Sequence, residues 1–124
     1  MTDRKRILLV DDEPSVRFAI DHYFRAAGYD VQLAASGEEA RAALAATHYD
    51  VVMIDVQLSG SVEADGLDVV RMMRDHDPSA RAIVLTGNAS AAVRADAVRL
   101  GVEHVLEKPV RLKELATIVA GLTG

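Results

Sequence analysis

Five times over, the chain alternates a short apolar, mostly β-branched run with a stretch whose apolar residues recur every three or four positions. That alternation constrains the fold more than any other feature. Strands separated by helices pair in parallel, because a parallel pair needs a crossover connection, and the crossovers are right-handed. The predicted strands are Arg6 to Val10, Asp30 to Ala35, Tyr49 to Asp55, Arg81 to Thr86 and Glu103 to Glu107. The second alternates apolar and polar residues, as a strand nearer a sheet edge does. In the third, Val51-Val52-Met53-Ile54 runs without a break into Asp55, which marks the central strand, buried on both faces.

Boundary signals place the helices between them. Pro14 suits a first helical position, where its missing N–H costs nothing. Val16, Ile20, Tyr23, Phe24 and Ala27 then form an inner face, and Gly28 supplies a left-handed stop. Ser36 and Glu39 form a capping box, followed by a short helix to about Thr47 with Ala40, Ala43 and Leu44 inward. Val56 to Asp65 is a predicted loop. Gly66 opens a third helix with Leu67, Val70 and Met73 inward, closed by Pro78. Ser90 caps a fourth helix through Val93, Ala97 and Leu100, stopped by Gly101. The last helix places Leu112, Leu115, Ile118, Val119 and Leu122 on one face. The expectation is an α/β domain over residues 1–124, a parallel sheet with helices on both faces, with no linker, repeat or low-complexity tail.

Composition removes several function classes. There is no cysteine, which excludes disulfide stapling and thiolate metal or redox chemistry. No apolar run approaches a membrane span, and the run after the charged N-terminus is too short for a signal peptide. A cytoplasmic location is expected. The net charge is −5 with scattered basic residues, whereas direct nucleic-acid binding wants a basic stripe. His22, His48, His76 and His104 are dispersed, and none has a metal partner at helical spacing.

The polar residues at the strand ends carry the chemistry. Asp11 and Asp12 follow the first strand, Asp55 ends the third, Thr86 ends the fourth and Lys108 follows the fifth. Parallel strands deliver all of these to one rim, where ligands bind in open α/β sheets. Singly, each is more often a cap or a solvated loop residue, and Asp12 or Glu13 could simply cap the first helix. Together they form a set that a core could not hold. Close carboxylate pairs repel by about 4 kcal/mol at 4 Å in an effective dielectric of 20, and a cation relieves that cost. Oxygen ligands without His or Cys select Mg²⁺ or a similar hard ion. With a lysine and a hydroxyl added, the site suits a phosphoryl group, and a carboxylate nucleophile would give an aspartyl phosphate.

The pattern Asp11-Asp12, Asp55, Thr86, Lys108-Pro109 resembles the receiver domain of two-component response regulators, over essentially the whole chain. The resemblance implies the flavodoxin-like (βα)5 fold, a three-layer sandwich whose five-stranded parallel sheet runs 2-1-3-4-5. It implies that Asp55 accepts phosphate from a sensor histidine kinase or a histidine phosphotransfer protein. Mg²⁺ would be held by Asp12, Asp55 and the main-chain carbonyl of Gln57, with Asp11 holding it through water. Thr86 and Lys108 would contact the phosphoryl oxygens, and the Lys108-Pro109 bond would be cis. The only chemistry implied is Mg²⁺-dependent self-phosphorylation and self-dephosphorylation at Asp55. Phosphorylation would pull Thr86 inward and repack the face of helix four, strand five and helix five. That would change binding to an output domain or downstream protein, or drive homodimerisation. Ending after its fifth helix, the chain is expected to be a stand-alone receiver or the receiver piece of a longer regulator or hybrid kinase.

Three departures from the family pattern stand out. Val105 occupies a position where receivers often carry an aromatic residue, so an inward aromatic swing is excluded. Gly60 to Asp65 lengthens the loop after Asp55 by about three residues, at small thermodynamic cost, with Ser59 where a proline is common. Gln57 and Asn88, each two residues beyond Asp55 and Thr86, are neutral amides at positions that influence loss of the aspartyl phosphate.

Other classes fit less well. A haloacid-dehalogenase-like phosphatase wants an acid two positions after the nucleophile, where this chain has Gln57. A flavin or nucleotide site wants a phosphate-cradling loop after the first strand, where Asp11-Asp12-Glu13 would repel phosphate. A degenerate receiver acting as a phosphorylation-independent binding module would have no need of the intact acceptor, acid pair, threonine and lysine.

Overall fold

Successive residues of a strand point to opposite faces, so an unbroken apolar strand must be covered twice. The computed structural model, which describes residues 4–56, 58, 66–87 and 89–124, meets that demand with helices on both sides of one sheet. The strands are β1 (Arg6–Val10), β2 (Asp30–Ala34), β3 (Val51–Asp55), β4 (Arg81–Thr86) and β5 (His104–Glu107). The helices are α1 (Pro14–Ala26), α2 (Gly37–Ala46), α3 (Gly66–His76), α4 (Ala91–Arg99) and α5 (Leu112–Thr123). All strand pairs are parallel and the order is β2-β1-β3-β4-β5, the flavodoxin-like (βα)5 arrangement.

The pleat sorts the core into two layers. Ile7, Leu9, Val51, Met53, Ile83 and Leu85 pack with Ile20 and Phe24 of α1 and Leu115 and Val119 of α5. Leu8, Val10, Val52, Ile54, Ala82 and Val84 pack with Ala40 and Leu44 of α2 and Leu67, Val70 and Met73 of α3. Every residue of β3 is buried, which fits its place at the centre of the sheet. β2 lies at an edge, as its alternation predicts. Full burial of one such Leu or Ile side chain contributes roughly 1.5–3 kcal/mol, so these layers fix the strand register against slippage.

Local signals end the helices where expected, with small corrections. Gly28 and Gly101 adopt φ of +98° and +72°, the left-handed stops after α1 and α4. Ala27 is the exposed C-cap of α1, outside its buried face. Ser36 Oγ accepts the Glu39 amide at 3.2 Å, while the Glu39 carboxylate reaches back to Ala35 N at 3.0 Å, one residue before the cap. Ser90 Oγ caps α4 through the Val93 amide. Glu103 lies just before β5 rather than in it: its carboxylate accepts Ala82 N at 2.7 Å and pairs with Arg74. Val105 is half-buried and packs against the α2–α3 layer.

Candidate functional site at the carboxyl rim of the sheet

Chain topology alone brings the five polar residues to one rim. Asp55 is paired in register with Leu85, so Thr86 stands one residue further along β4, and Thr86 is in turn paired with Glu107, which precedes Lys108. The Lys108 amide donates to the Thr86 carbonyl at 2.8 Å, fixing the start of the β5–α5 connection. The Lys108-Pro109 peptide is cis, as the resemblance implies. On the other side of β3, Asp11 continues β1, its amide donating to the Ala34 carbonyl at 3.0 Å.

Asp11, Asp55 and Thr86 are the buried polar residues among those described, with relative exposures of 0%, 4% and 1%. One carboxylate oxygen each of Asp11, Asp12 and Asp55 lies within 4.8 Å of the other two. Lys108 Nζ reaches into this cluster, 2.9 Å from Asp11 Oδ2 and 3.1 Å from Asp55 Oδ2, with Glu13 Oε1 at 3.5 Å. Burial pushes the ammonium toward its neutral form. The hydrogen bonds to Asp11 and Asp55, together with their charges, outweigh burial and hold Lys108 above the ordinary lysine pKa. No described buried side-chain polar atom is left without a partner.

The other oxygen of Asp11 accepts the Glu13 amide at 2.9 Å, at the N-cap of α1. Glu13 is the N-cap residue of α1 but makes no side-chain cap, and its own amide is taken by Asp11. The Asp11 carbonyl accepts from Arg17 Nη1 at 2.7 Å. Sequence reasoning missed Arg17, although a basic residue one helical turn beyond Glu13 is placed to reach back to the strand end. Gly66 opens α3 as the sequence predicts, but its approach to Asp55 was not read from the sequence. A Cβ on it would lie 2.1 Å from the Asp55 carbonyl oxygen, so α3 starts in contact with the backbone of the central carboxylate. Gln57, Asn88, Ser59 and the lengthened loop Gly60 to Asp65 lie outside the described residues.

An oxygen-only trio of carboxylates suits a hard divalent cation, which commonly takes one or two carboxylates and keeps waters. With a fixed ammonium beside it, the rim can hold a phosphorylated group at a carboxylate. A more distant His48–Asp77 pair, with Asp50 also near His48, ties the α2–β3 and α3–β4 connections at the opposite end of the sheet and takes no part in this rim.

Comparison with known proteins agrees with this geometry. Residues 7–120 match the family described as response regulator receiver domain. The regulatory protein AtoC of Escherichia coli K12 is 34% identical over 96% of this chain and 25% of its own length. The transcriptional regulatory protein TrcR of Mycobacterium tuberculosis is 32% identical over 94% of this chain and 44% of its own. The response regulator MprA of Mycolicibacterium vanbaalenii is 36% identical over 89% and 46%. The chain thus spans less than half the length of these curated relatives. Among solved structures, a Burkholderia pseudomallei response regulator with a phosphorylated aspartic acid, calcium ion and citrate superposes with a TM-score of 0.83 at 28% identity, over 90% of this chain and 64% of that one. A CheY-like receiver from Methanospirillum hungatei, at 24% identity, gives a TM-score of 0.90 over 98% and 95% and shows the shared fold.

Proposed function

This chain belongs to the response regulator receiver domain family, and we propose that residues 1–124 form one receiver domain whose phospho-acceptor is Asp55. The observation that carries the assignment is the Lys108 ammonium bridging Asp11 and Asp55 beside a third carboxylate, Asp12. Asp55 is the only one of the three that ends the fully buried central strand, and the phosphorylated aspartic acid of the Burkholderia relative supports a carboxylate acceptor.

An Asp55 oxygen attacks the phosphorus of a phosphohistidine on a sensor histidine kinase or histidine phosphotransfer protein. The P–O bond forms as the P–N bond breaks. The electron pair returns to the imidazole nitrogen, which takes up a proton. Asp12, Asp55 and the main-chain carbonyl of Gln57, which lies outside the described residues, would hold Mg²⁺, with Asp11 holding it through water, and the ion would supply neutralisation of charge on the carboxylates and the incoming phosphoryl oxygens. Lys108 keeps its bond to Asp11 and passes from the Asp55 carboxylate to a phosphoryl oxygen. The Thr86 hydroxyl donates to another. Water later hydrolyses the acyl phosphate at the same site, and no other substrate is turned over.

Thr86 couples the site to the face of α4, β5 and α5. α4 buries only Ala97 among its residues, so it is the helix least held by the core and the one most readily moved. Val105 cannot serve as an aromatic reporter, and the readout passes through Thr86 and the packing of α4. The changed face meets an output domain, a downstream protein or a second copy, in the cytoplasm; no described helix is long and apolar enough to cross a membrane.

Intact-protein mass after incubation with acetyl phosphate tests the proposal. The expected result is a gain of one phosphoryl that requires Mg²⁺ and is absent in Asp55→Asn. If Asp55→Asn gains the same mass, or if neither small donors nor phosphorylated histidine kinases modify the wild type, the assignment is wrong.

A further inference from the structure

The end of β1 presents a bonding problem that the acid pair does not solve by itself. Asp11 is fully buried, and its amide completes the ladder to Ala34. β2 ends at Ala34, so its ladder supplies no later amide to the Asp11 carbonyl. A buried carbonyl needs a donor, and a side chain has to provide it. Arg17 does so, with Nη1 at 2.7 Å. Its own amide bonds to the Glu13 carbonyl at 3.1 Å, in the first turn of α1.

The peptide that Arg17 grips is the one joining Asp11 to Asp12. Its plane sets where the Asp12 chain begins, and hence the direction in which Asp12 presents its carboxylate. The Asp11 side chain is already fixed at both oxygens, by the Glu13 amide and by Lys108. Asp12 is half-buried, on the solvent side of the trio. The bond from Arg17 therefore constrains the peptide from which Asp12 extends.

Resting on the assignment of the metal site above, we propose that Arg17 is a positioning residue for divalent-metal binding, acting through the Asp11 carbonyl on the orientation of Asp12. Groups that orient metal ligands typically change metal affinity by about 10–100-fold when removed. The charge of Arg17 works in the opposite direction. A guanidinium near the trio repels a dication, so simple Coulomb reasoning has its removal tighten metal binding. Geometry and charge thus give opposite signs, which makes the inference sharp.

The experiment uses Mn²⁺ as the probe, with free Mn²⁺ read by electron paramagnetic resonance in the absence of any phosphodonor. Wild type, Arg17→Met, Arg17→Lys and Asp12→Asn are compared, each checked for cooperative urea unfolding. In parallel, the Mg²⁺ dependence of phosphorylation by acetyl phosphate is split into half-saturating Mg²⁺ and maximal rate. Arg17→Met is expected to weaken Mn²⁺ binding by about tenfold and raise half-saturating Mg²⁺ by a similar factor, with the maximal rate within about twofold of wild type. Arg17→Lys, which keeps a donor, recovers much of the affinity. Unchanged or tighter Mn²⁺ binding in a folded Arg17→Met protein overturns the inference and leaves the site assignment standing. Wild-type Mn²⁺ binding that is absent, or that survives Asp12→Asn unchanged, overturns both. If Arg17→Met does not fold, Arg17→Leu, which also lacks a donor, takes its place under the same outcomes.

Discussion

Lys108 shows how one residue settles an electrostatic conflict. Asp11 and Asp55 are buried side by side, and a buried charge is costly unless a group of opposite charge pairs with it. Lys108, whose side chain is 18% exposed, is that cation. Removing one partner of a buried ion pair typically costs about 3–5 kcal/mol, because the charge left behind is uncompensated. Lys108→Met is accordingly expected to lose about 3 kcal/mol of unfolding free energy in chelator, measured by urea titration, and to regain part of it in millimolar Mg²⁺. The pH dependence has a definite sign. A lysine held above its ordinary pKa stabilises fully below the unfolded value of about 10.4, and the contribution fades only as pH rises through the higher folded value. The lysine's own contribution is then constant between about pH 6 and 9. A lysine contribution that fell away across that window would contradict the bridging geometry.

At the scale of elements, the contact between α3 and β3 bears directly on the backbone of Asp55, the proposed acceptor. Gly66 donates its amide to the Val56 carbonyl at 3.0 Å and brings the helix start against the Asp55 carbonyl. Helix propensity alone favours alanine over glycine by about 1 kcal/mol. Gly66→Ala should nonetheless destabilise the fold, because a Cβ 2.1 Å from a backbone oxygen forces the strand or the helix to move. The expected outcome is a net loss of about 2 kcal/mol in urea unfolding with slower phosphorylation by acetyl phosphate. A variant as stable and as reactive as wild type would show that this helix start does not constrain Asp55. The sequence pointed to Gly66 as a helix opener, yet the close approach was not legible. It depends on the path of the chain between two elements, and no local pattern encodes that. Arg17 was missed for the same reason, since its role exists only once α1 folds back across the end of β1. By contrast, Asp55, Thr86 and Lys108 were legible because strand order and parallel pairing alone put strand ends on one rim. β4 and β1 matched their predicted bounds to the residue, while β5 lost Glu103 because a tertiary bond to Ala82 N uses that carboxylate outside the strand.

Over the whole molecule, the same acid cluster makes folding and metal binding one equilibrium. Three carboxylate oxygens converge within 4.8 Å only in the folded chain, where one lysine offsets part of their repulsion. In the unfolded chain Asp55 is separated from the acid pair by more than forty residues of sequence and binds a cation weakly, if at all. A ligand that binds only the native state adds RT ln(1 + [L]/Kd) to stability, which is about 1.4 kcal/mol at ten times Kd. For a domain of this size that corresponds to a rise of about 3–6 °C in Tm. Thermal unfolding followed by circular dichroism should therefore shift upward with Mg²⁺, saturating as the site fills. Asp12→Asn should flatten the response, because it removes a ligand charge. Ca²⁺ should also raise Tm, since an oxygen-only donor set selects hard dications without choosing sharply among them. Monovalent salt at equal ionic strength provides the decisive contrast. Screening acts on every surface charge of a chain with net charge −5, whereas site binding acts through three carboxylates. Equal shifts from Mg²⁺ and from matched sodium chloride would reduce the metal effect to screening, and a shift that survives Asp12→Asn would move the metal away from this rim.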